Sequence, residues 1–394
     1  MAKIDSDILQ IEDQLIEFRE YLHRNPELSL HEENTARFVR EKLDQWAIPY
    51  ECVGTGTLAT LKGSKSGHTV LLRGDMDALP LQDLSEAPYA SKNEGVCHAC
   101  GHDAHTSALL GAAKILKDRQ KEIPGTIKLC FQQAEEIGQG ARRFVKAGYL
   151  DDVDFAFGIH VSSPRPSGTV SLVSGPINAS CDIFTIRVHG KGAHCSRPQD
   201  GRDAALAIAS ILVALQSIVS RQRDPLEPVV ISIGKLTAGS GYNVIAEEGS
   251  LEGTLRCFDK DLRKIYLEKI ASISRAVAEV HGCRAEFESY NAANPLVNDP
   301  ATTRYAQEIA RGIVDEEKLE CQSPVSLGAE DFADFSQATQ AAFAFVGTQK
   351  DEKTSYAHHN GHFDIDESQL KLMVQLHVNV ALNNTDWKKE EADI

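Results

Sequence analysis

Residues 95–105 read GVCHACGHDAH, which sets two cysteines, three histidines and an aspartate within eleven positions. Thiolate, imidazole and carboxylate are the groups that hold borderline-soft divalent cations. Cys100 and His102 stand close enough to serve one metal site. Three other segments bring similar groups. RGDMDALP puts Asp75 and Asp77 at the end of an apolar run, FQQAEE puts Glu135 and Glu136 at the end of another, and FGIHV puts His160 at the end of a third. A late group, YAHHNGHFD, adds His358, His359 and His362. If those runs are strands of an open α/β sheet, their carboxyl ends border one crevice, which is where such sheets bind ligands.

Each signal also has a plainer reading. A lone CxxC can be a redox pair or half of a structural zinc site. No second CxxC is present to complete a site of four cysteines, and a redox pair leaves the flanking histidines and the remote glutamates unexplained. Cys97 fits a small core residue. His98 and His105 fit surface or supporting groups as well as they fit ligands. Glu135 and Glu136 alone read as a solvated acidic turn. Neighbours on an extended segment point different ways, however, so one carboxylate could hold metal while the other faces the bound water.

The elements that must position these groups follow from periodicity. Ile8, Ile11, Leu15, Phe18 and Leu22 form an amphipathic helical stripe, and Ala36, Val39, Leu43 and Trp46 form a second. TLATL and TVLLRGD read as strands, 104–117 as a helix, 126–132 as a strand, 140–150 as a helix and 153–161 as a strand. This alternation predicts an α/β catalytic domain, its mostly parallel sheet flanked by helices. Gly, Pro and Ser then cluster over 164–180, as at a domain junction. From 181 to 290 the order is strand, helix, strand, strand, helix, strand, which is the split βαβ, ferredoxin-like pattern of an α+β domain. A second polar junction covers 291–300, and helix and short strand follow, ending in a helix over 367–382. The expected organisation is a catalytic metal-binding domain of 1–178 and 292–394, interrupted by an inserted domain of 179–291.

Composition removes other classes. The 394 residues carry a formal charge of −16 and no basic run longer than two, which excludes a nucleic-acid binder. Nine cysteines, an odd number and mostly isolated, argue for reduced thiols and a cytoplasmic location. The opening MAKIDSDILQIEDQ has no apolar signal core. AALAIASILVALQSIVS (204–220) is interrupted by Ser210, Gln216 and Ser217 and is shorter than the ~20 residues of a membrane span, so it reads as a buried helix and no membrane partner is expected. The final NNTDWKKEEADI is polar and is expected to fray.

Taken together, RGDMDALP, HACGHDAH, AEE, GIHV, GKGAH, NVI and HHNGHFDIDE resemble the two-metal amidohydrolase/aminoacylase family, in the branch of hippurate hydrolases, N-acyl-amino-acid deacylases and auxin-conjugate hydrolases. The likeness runs end to end. It implies a catalytic domain holding two divalent metals (zinc, manganese, cobalt or nickel), and an inserted lid domain that also makes a homodimer. By motif, Cys100 resembles the thiolate bridging both metals, and His102, Glu136, His160 and His359 the remaining ligands, with His358 and His362 as local competitors of His359. Glu135 resembles the general acid/base. Asp75 and Asp77 resemble supporting groups, Asp77 orienting a ligand histidine. His194 resembles the residue that polarises the scissile carbonyl, commonly from a partner subunit, and Asn243 and Arg256 resemble substrate-holding residues. NVIA, GAED and HNGHF depart from the commoner patterns, which bears on substrate preference.

The implied reaction is hydrolysis of the amide of an N-acyl amino acid, of the N-acetyl or N-benzoyl type, to a carboxylic acid and a free amino acid. Two cations roughly 3.5–4 Å apart could share the attacking water, whose proton Glu135 would pass to the departing amine. The alternatives are a dipeptidase or carboxypeptidase on the same scaffold, and a metal-binding protein without catalysis.

Overall fold

The computed structural model describes residues 2–389. The chain divides into two compact units. One comprises Met1–Gly175, Val297–Pro324 and Asp331–Ile394, and the other Pro176–Leu296 with Val325–Glu330. The return of 325–330 to the second unit is not signalled in the sequence. It rests on backbone bonds: Ser326 donates to the Ile177 carbonyl, and Ala179 to the carbonyls of Ser326 and Gly328.

The first unit is built on an eight-stranded sheet. Its centre is parallel: Pro124–Gln132, Lys65–Asp75, Phe155–Pro166 and Gln340–Gln349 lie side by side in that order. Gly56–Lys62 and then Tyr50–Val53 extend one edge antiparallel. Val170–Ser171 pairs antiparallel with Gln340–Gln349 on the other side, and Leu319–Glu320 closes that edge. The sheet is therefore mixed, and the expectation of a mostly parallel sheet holds only for its centre. For the first two strands the reason is local: they are joined by the tight Gly54–Thr55 connection, and so short a link permits only antiparallel pairing between them.

Helices cover this sheet. His102–Asp118 is apolar on nearly every side and is buried accordingly, among Leu15, Leu72, Met373 and Val374. Glu12–Arg24, which buries one stripe, and Leu370–Leu382, which is buried on nearly every side, complete the layer. The polar C-terminal stretch does not fray where it is described. Trp387 is buried, stacks on Phe155 at 4.9 Å and 29°, and donates from its indole nitrogen to Thr302 at 3.2 Å. Residues 390–394 of that expectation lie outside the described residues.

The second unit has a four-stranded antiparallel sheet in the order Val229–Ala238, Glu248–Cys257, Cys181–His189, Arg284–Ala293. Helices Ala204–Ser217 and Lys260–Val280 pack on it through Ile208, Ile211, Leu215, Ile270 and Ala278. Asp203 and Asp259 cap them by accepting two backbone N–H groups each. The stretch Ala204–Gln222 is long and apolar enough to cross a membrane. The expectation of a buried helix holds for one of its faces only. Leu206 and Val213 stand 55% and 69% exposed on the other.

Candidate metal centre

Four segments of the first unit converge. Strand Lys65–Asp75 ends at Asp75, and Pro124–Gln132 ends just before Gln133 and the Ala134–Glu136 turn. His160 corrects the expectation of a strand end, because it sits midway along Phe155–Pro166. It nevertheless reaches the crevice, since pairing with the neighbouring Lys65–Asp75 stops at Arg73 opposite Gly158. Cys100 and His102 flank Gly101, which adopts φ +89°. A Cβ there would come within 2.3 Å of Val161, so only glycine lets the turn before helix His102–Asp118 pack against the His160 strand. His359 arrives on a late loop with φ +62°, held by donation of its backbone N–H to the Ala99 carbonyl at 2.8 Å.

The ligand-type atoms fall into overlapping clusters. Cys100, His102 and His160 form one triad, and Cys100, Glu136 and His359 form another, so Cys100 is common to both. Its sulfur lies 3.5 Å from His160 Nε2. His359 Nε2 lies 3.5 Å from Glu136. Glu135 groups with His102 and Glu136 but does not join the Cys100 triads. His358 and His362 are in neither triad: His358 packs on the rings of His160 and Phe363, and His362 is exposed against Tyr356. Cys97 is a core residue, and His98 is buried with no hydrogen-bond partner for either ring nitrogen among the described residues.

These residues suit divalent cations. His102 donates from Nδ1 to the Asp77 carbonyl at 2.8 Å, and His160 from Nδ1 to the Val161 carbonyl at 2.6 Å. Both rings thus turn Nε2 inward, the arrangement that supporting carbonyls impose on ligand histidines. Among the described residues, the buried Nε2 of His102 and Oε1 of Glu136 have no hydrogen-bond partner. Burial alone would lower His102, but Asp75, Asp77 and Cys100 outweigh it and raise it well above the usual imidazole value. The pocket is poised for positive charge at that nitrogen. Burial pushes the Glu136 carboxyl up, with Asp77 and Asp75 adding to the effect, and it holds the Cys100 thiol well above its ordinary value.

Asp77 supports the site in a way its side chain alone does not reveal. It orients His102 through its backbone carbonyl, while its carboxylate accepts the N–H groups of Glu135 and Glu136, each at 3.0 Å. Asp75 is paired with Arg73 at 2.6 Å and with His105 at 2.6 Å, all three buried. Sequence reasoning does not single out Arg19, Ser29, Glu32, Arg73 or Asp331, which brace the site from behind. Arg73 bridges Asp75 and Asp331, and Asp331 donates its backbone N–H to Glu135 at 3.3 Å.

His194, Asn243 and Arg256 belong to the second unit. His194 lies on a two-residue strand, Ala193–His194, paired with Val244–Ile245, and the Cys195 N–H donates to the Asn243 carbonyl. The Ser196 N–H donates to His194 Nδ1 at 3.1 Å, so the neutral ring keeps its proton on Nε2. Arg256 donates to the Leu327 carbonyl at 3.3 Å.

Residues 71–383 match the model of peptidase family M20/M25/M40. The chain belongs to this family. It is 38% identical over 363 residues to the N-acetyl-L-cysteine deacetylase of Bacillus subtilis (strain 168), covering 91% of this chain and 85% of that protein. It is 39% identical to thermostable carboxypeptidase 2 of Saccharolobus solfataricus, across 97% of this chain and 98% of the relative. The crystal structure of the YXEP protein of Bacillus subtilis, a dinuclear metal binding peptidase from family M20, superposes with a TM-score of 0.85 at 32% identity, covering 96% and 100% of the two chains.

Proposed function

We propose that this M20-family chain is a metal-dependent amidohydrolase that cleaves N-acyl amino acids to a carboxylic acid and a free amino acid. The observation that carries the reading is the pair of Cys100-sharing triads with Glu135 beside them. Cys100, His102, Glu136, His160 and His359 would hold two divalent cations, and Cys100 belongs to both triads. Cations held there would supply polarisation of the scissile carbonyl and acidification of the attacking water. Glu135, 3.9 Å from His102 Nε2, takes the proton of that water and returns it to the departing amine nitrogen. His194, with Nε2–H as donor, steadies the carbonyl oxygen as charge develops, a contribution of about 3 kcal/mol for such a donor. Arg256 and Asn243 hold the amino-acid portion, Arg256 through its carboxylate. Asp77 acts by holding the turn of Glu135.

The deacetylase relative, acting on an N-acetyl amino acid by its name, supports the acyl-amino-acid reading. The carboxypeptidase relative, similar over nearly the whole chain, favours a second reading in which a peptide bond takes the place of the acyl amide. The second unit is proposed to be a ferredoxin-like lid that also pairs two copies of the chain. The exposed Leu206 and Val213 and the free edge of strand Val229–Ala238 support that. Nine unpaired cysteines support a cytoplasmic setting.

The test is a panel of hippurate, N-acetyl amino acids and dipeptides with protein reloaded with zinc, manganese, cobalt or nickel. Turnover of the acyl amino acids that Glu135→Gln abolishes is expected, and preference for dipeptides moves the assignment to the second reading. Mixing His194→Ala with Glu135→Gln subunits tests the homodimer: recovered activity means that His194 serves its partner's site.

A further inference from the structure

We propose that Glu32 is a positioning residue that holds the catalytic turn Ala134–Glu136 in its working shape. Ala134 adopts φ +55°, the left-handed region that a side chain disfavours. Its backbone N–H donates to Glu32 Oε1 at 2.8 Å, and its carbonyl accepts the N–H groups of Gln139 and Gly140. The next two N–H groups go to Asp77. Three consecutive amides are thus received by two buried carboxylates, and the one at the strained residue is received by Glu32.

Glu32 is committed to this task at a cost to the fold. It is fully buried, and no cation pairs with it among the described residues. It heads helix Glu33–Gln45 yet makes no side-chain cap bond to it. Its second oxygen accepts the Thr55 hydroxyl at 2.6 Å. A buried carboxylate without a cation is an expensive way to stabilise a core. Its bond to a strained amide beside Glu135 gives it a reason to be there. The inference rests on the reading of Glu135 as proton carrier and of Glu136 as ligand.

The experiment compares Glu32→Ala, Glu32→Gln and the double variant Glu32→Ala/Ala134→Gly, with Ala134→Gly as reference. Each is assayed for kcat, KM and zinc affinity of the apo-protein by chelator competition. Glu32→Ala is expected to lower kcat roughly 100-fold with KM little changed, as for a displaced reacting group, and to weaken zinc roughly tenfold, because Glu136 rides the same turn. Glu32→Gln keeps an acceptor for the Ala134 amide and is expected to remain within a few-fold of the parent. Glycine adopts φ +55° without strain, so the double variant is expected to recover at least about a tenth of the lost kcat and most of the zinc affinity. Recovery through Ala134→Gly is the outcome that a merely structural role would not produce. Unchanged kcat and zinc affinity in Glu32→Ala, or no recovery in the double variant, overturns the proposal. If Glu135→Gln keeps turnover, the functional reading fails instead, and zinc affinity still decides the case of Glu32.

Discussion

His105 accepts the backbone N–H of Val161 on Nε2 at 2.9 Å. That nitrogen therefore carries no proton, and Nδ1 must be the donor to Asp75, 2.6 Å away. One neutral imidazole so connects the Asp75 carboxylate to the residue that follows His160. Val161 in turn accepts the Nδ1 proton of His160 on its carbonyl. The chain His105–Val161–His160 fixes the direction of a candidate ligand. Replacing His105 by alanine is expected to weaken zinc by about 10–100-fold, the usual effect of losing such a supporting group. Chelator competition on the apo-protein measures it, with the urea midpoint recorded in parallel. Unaltered zinc affinity would remove His105 from the site's support.

Arg19 is the second brace. Its guanidinium is fully buried and reaches Asp103 at 2.8 Å, Asp364 at 2.7 Å and Glu367 at 3.1 Å, while lying 4.7 Å over the ring of Tyr89. Helix Glu12–Arg24 is thereby tied to the residue after His102 and to the loop that follows His359. Burial alone would raise the Asp103 carboxyl, but Arg19 and His23 outweigh it and hold it well below the usual range. A depressed carboxylate contributes stability above its unfolded value, and that contribution fades as pH falls below about 4. Arg19→Met leaves Asp103 buried with only His23 to offset its charge and is expected to cost about 3–5 kcal/mol near neutral pH. The variant should also lose less additional stability than the parent between pH 5 and 3. Urea melts across that range test both effects, and parallel pH curves for the two proteins would contradict the account.

These two braces mark where the sequence stops being readable. Cys100, His102, Glu136, His160 and His359 are legible because their residue types are rare in such concentration and sit within short motifs, and the structure clusters them. Arg19, Ser29 and Glu32 carry no such mark. Each is one polar residue in an amphipathic helix or loop, and its partner lies tens to hundreds of positions away. The amphipathic helices and the alternating strand Glu248–Cys257 are readable because each has one wet face. The central strand Gln340–Gln349 does not stand out, since QAAFAFVGTQ is covered on both sides and shows no alternation. The antiparallel edge is hidden because pairing direction depends on the length of a turn, which composition does not reveal.

Metal uptake should be coupled to proton release. Burial pushes the Glu136 carboxyl up to about 7 and the Cys100 thiol well above its ordinary value, and the surrounding acids outweigh burial to raise His102, so in the absence of a cation Cys100 and His102 retain their protons near neutrality and Glu136 retains its proton in part. A cation must displace them. Raising the pH removes that competition, so zinc affinity is expected to climb with pH, by roughly tenfold per unit for each proton displaced. A weakly buffered titration at pH 7 reads the protons directly, and Cys100→Ala should release fewer. Zinc binding that is flat between pH 6 and 8 would mean that these groups are not the ligands.

The last prediction concerns the C-terminal stretch, where polar composition points one way and packing goes the other. Asn384 and Trp387 act as a pair of anchors among charged neighbours. Asn384 donates to the carbonyls of Pro124 and Ala381 at 2.7 and 2.9 Å and accepts the N–H of His68 at 3.1 Å. This ties the chain end to the starts of two central strands. Trp387 covers Phe155 at the start of a third. Truncating a buried tryptophan removes its contacts and leaves a cavity, so Trp387→Ala is expected to destabilise the protein by about 3–5 kcal/mol. The anchors sit by the amino ends of the strands, whereas the candidate ligands lie toward the carboxyl ends. Zinc affinity measured at low temperature, where the variant is still folded, should therefore stay within a few-fold of the parent. Urea unfolding and chelator competition together decide the matter: an unshifted unfolding midpoint would mean that the stretch is as loose as its composition suggests.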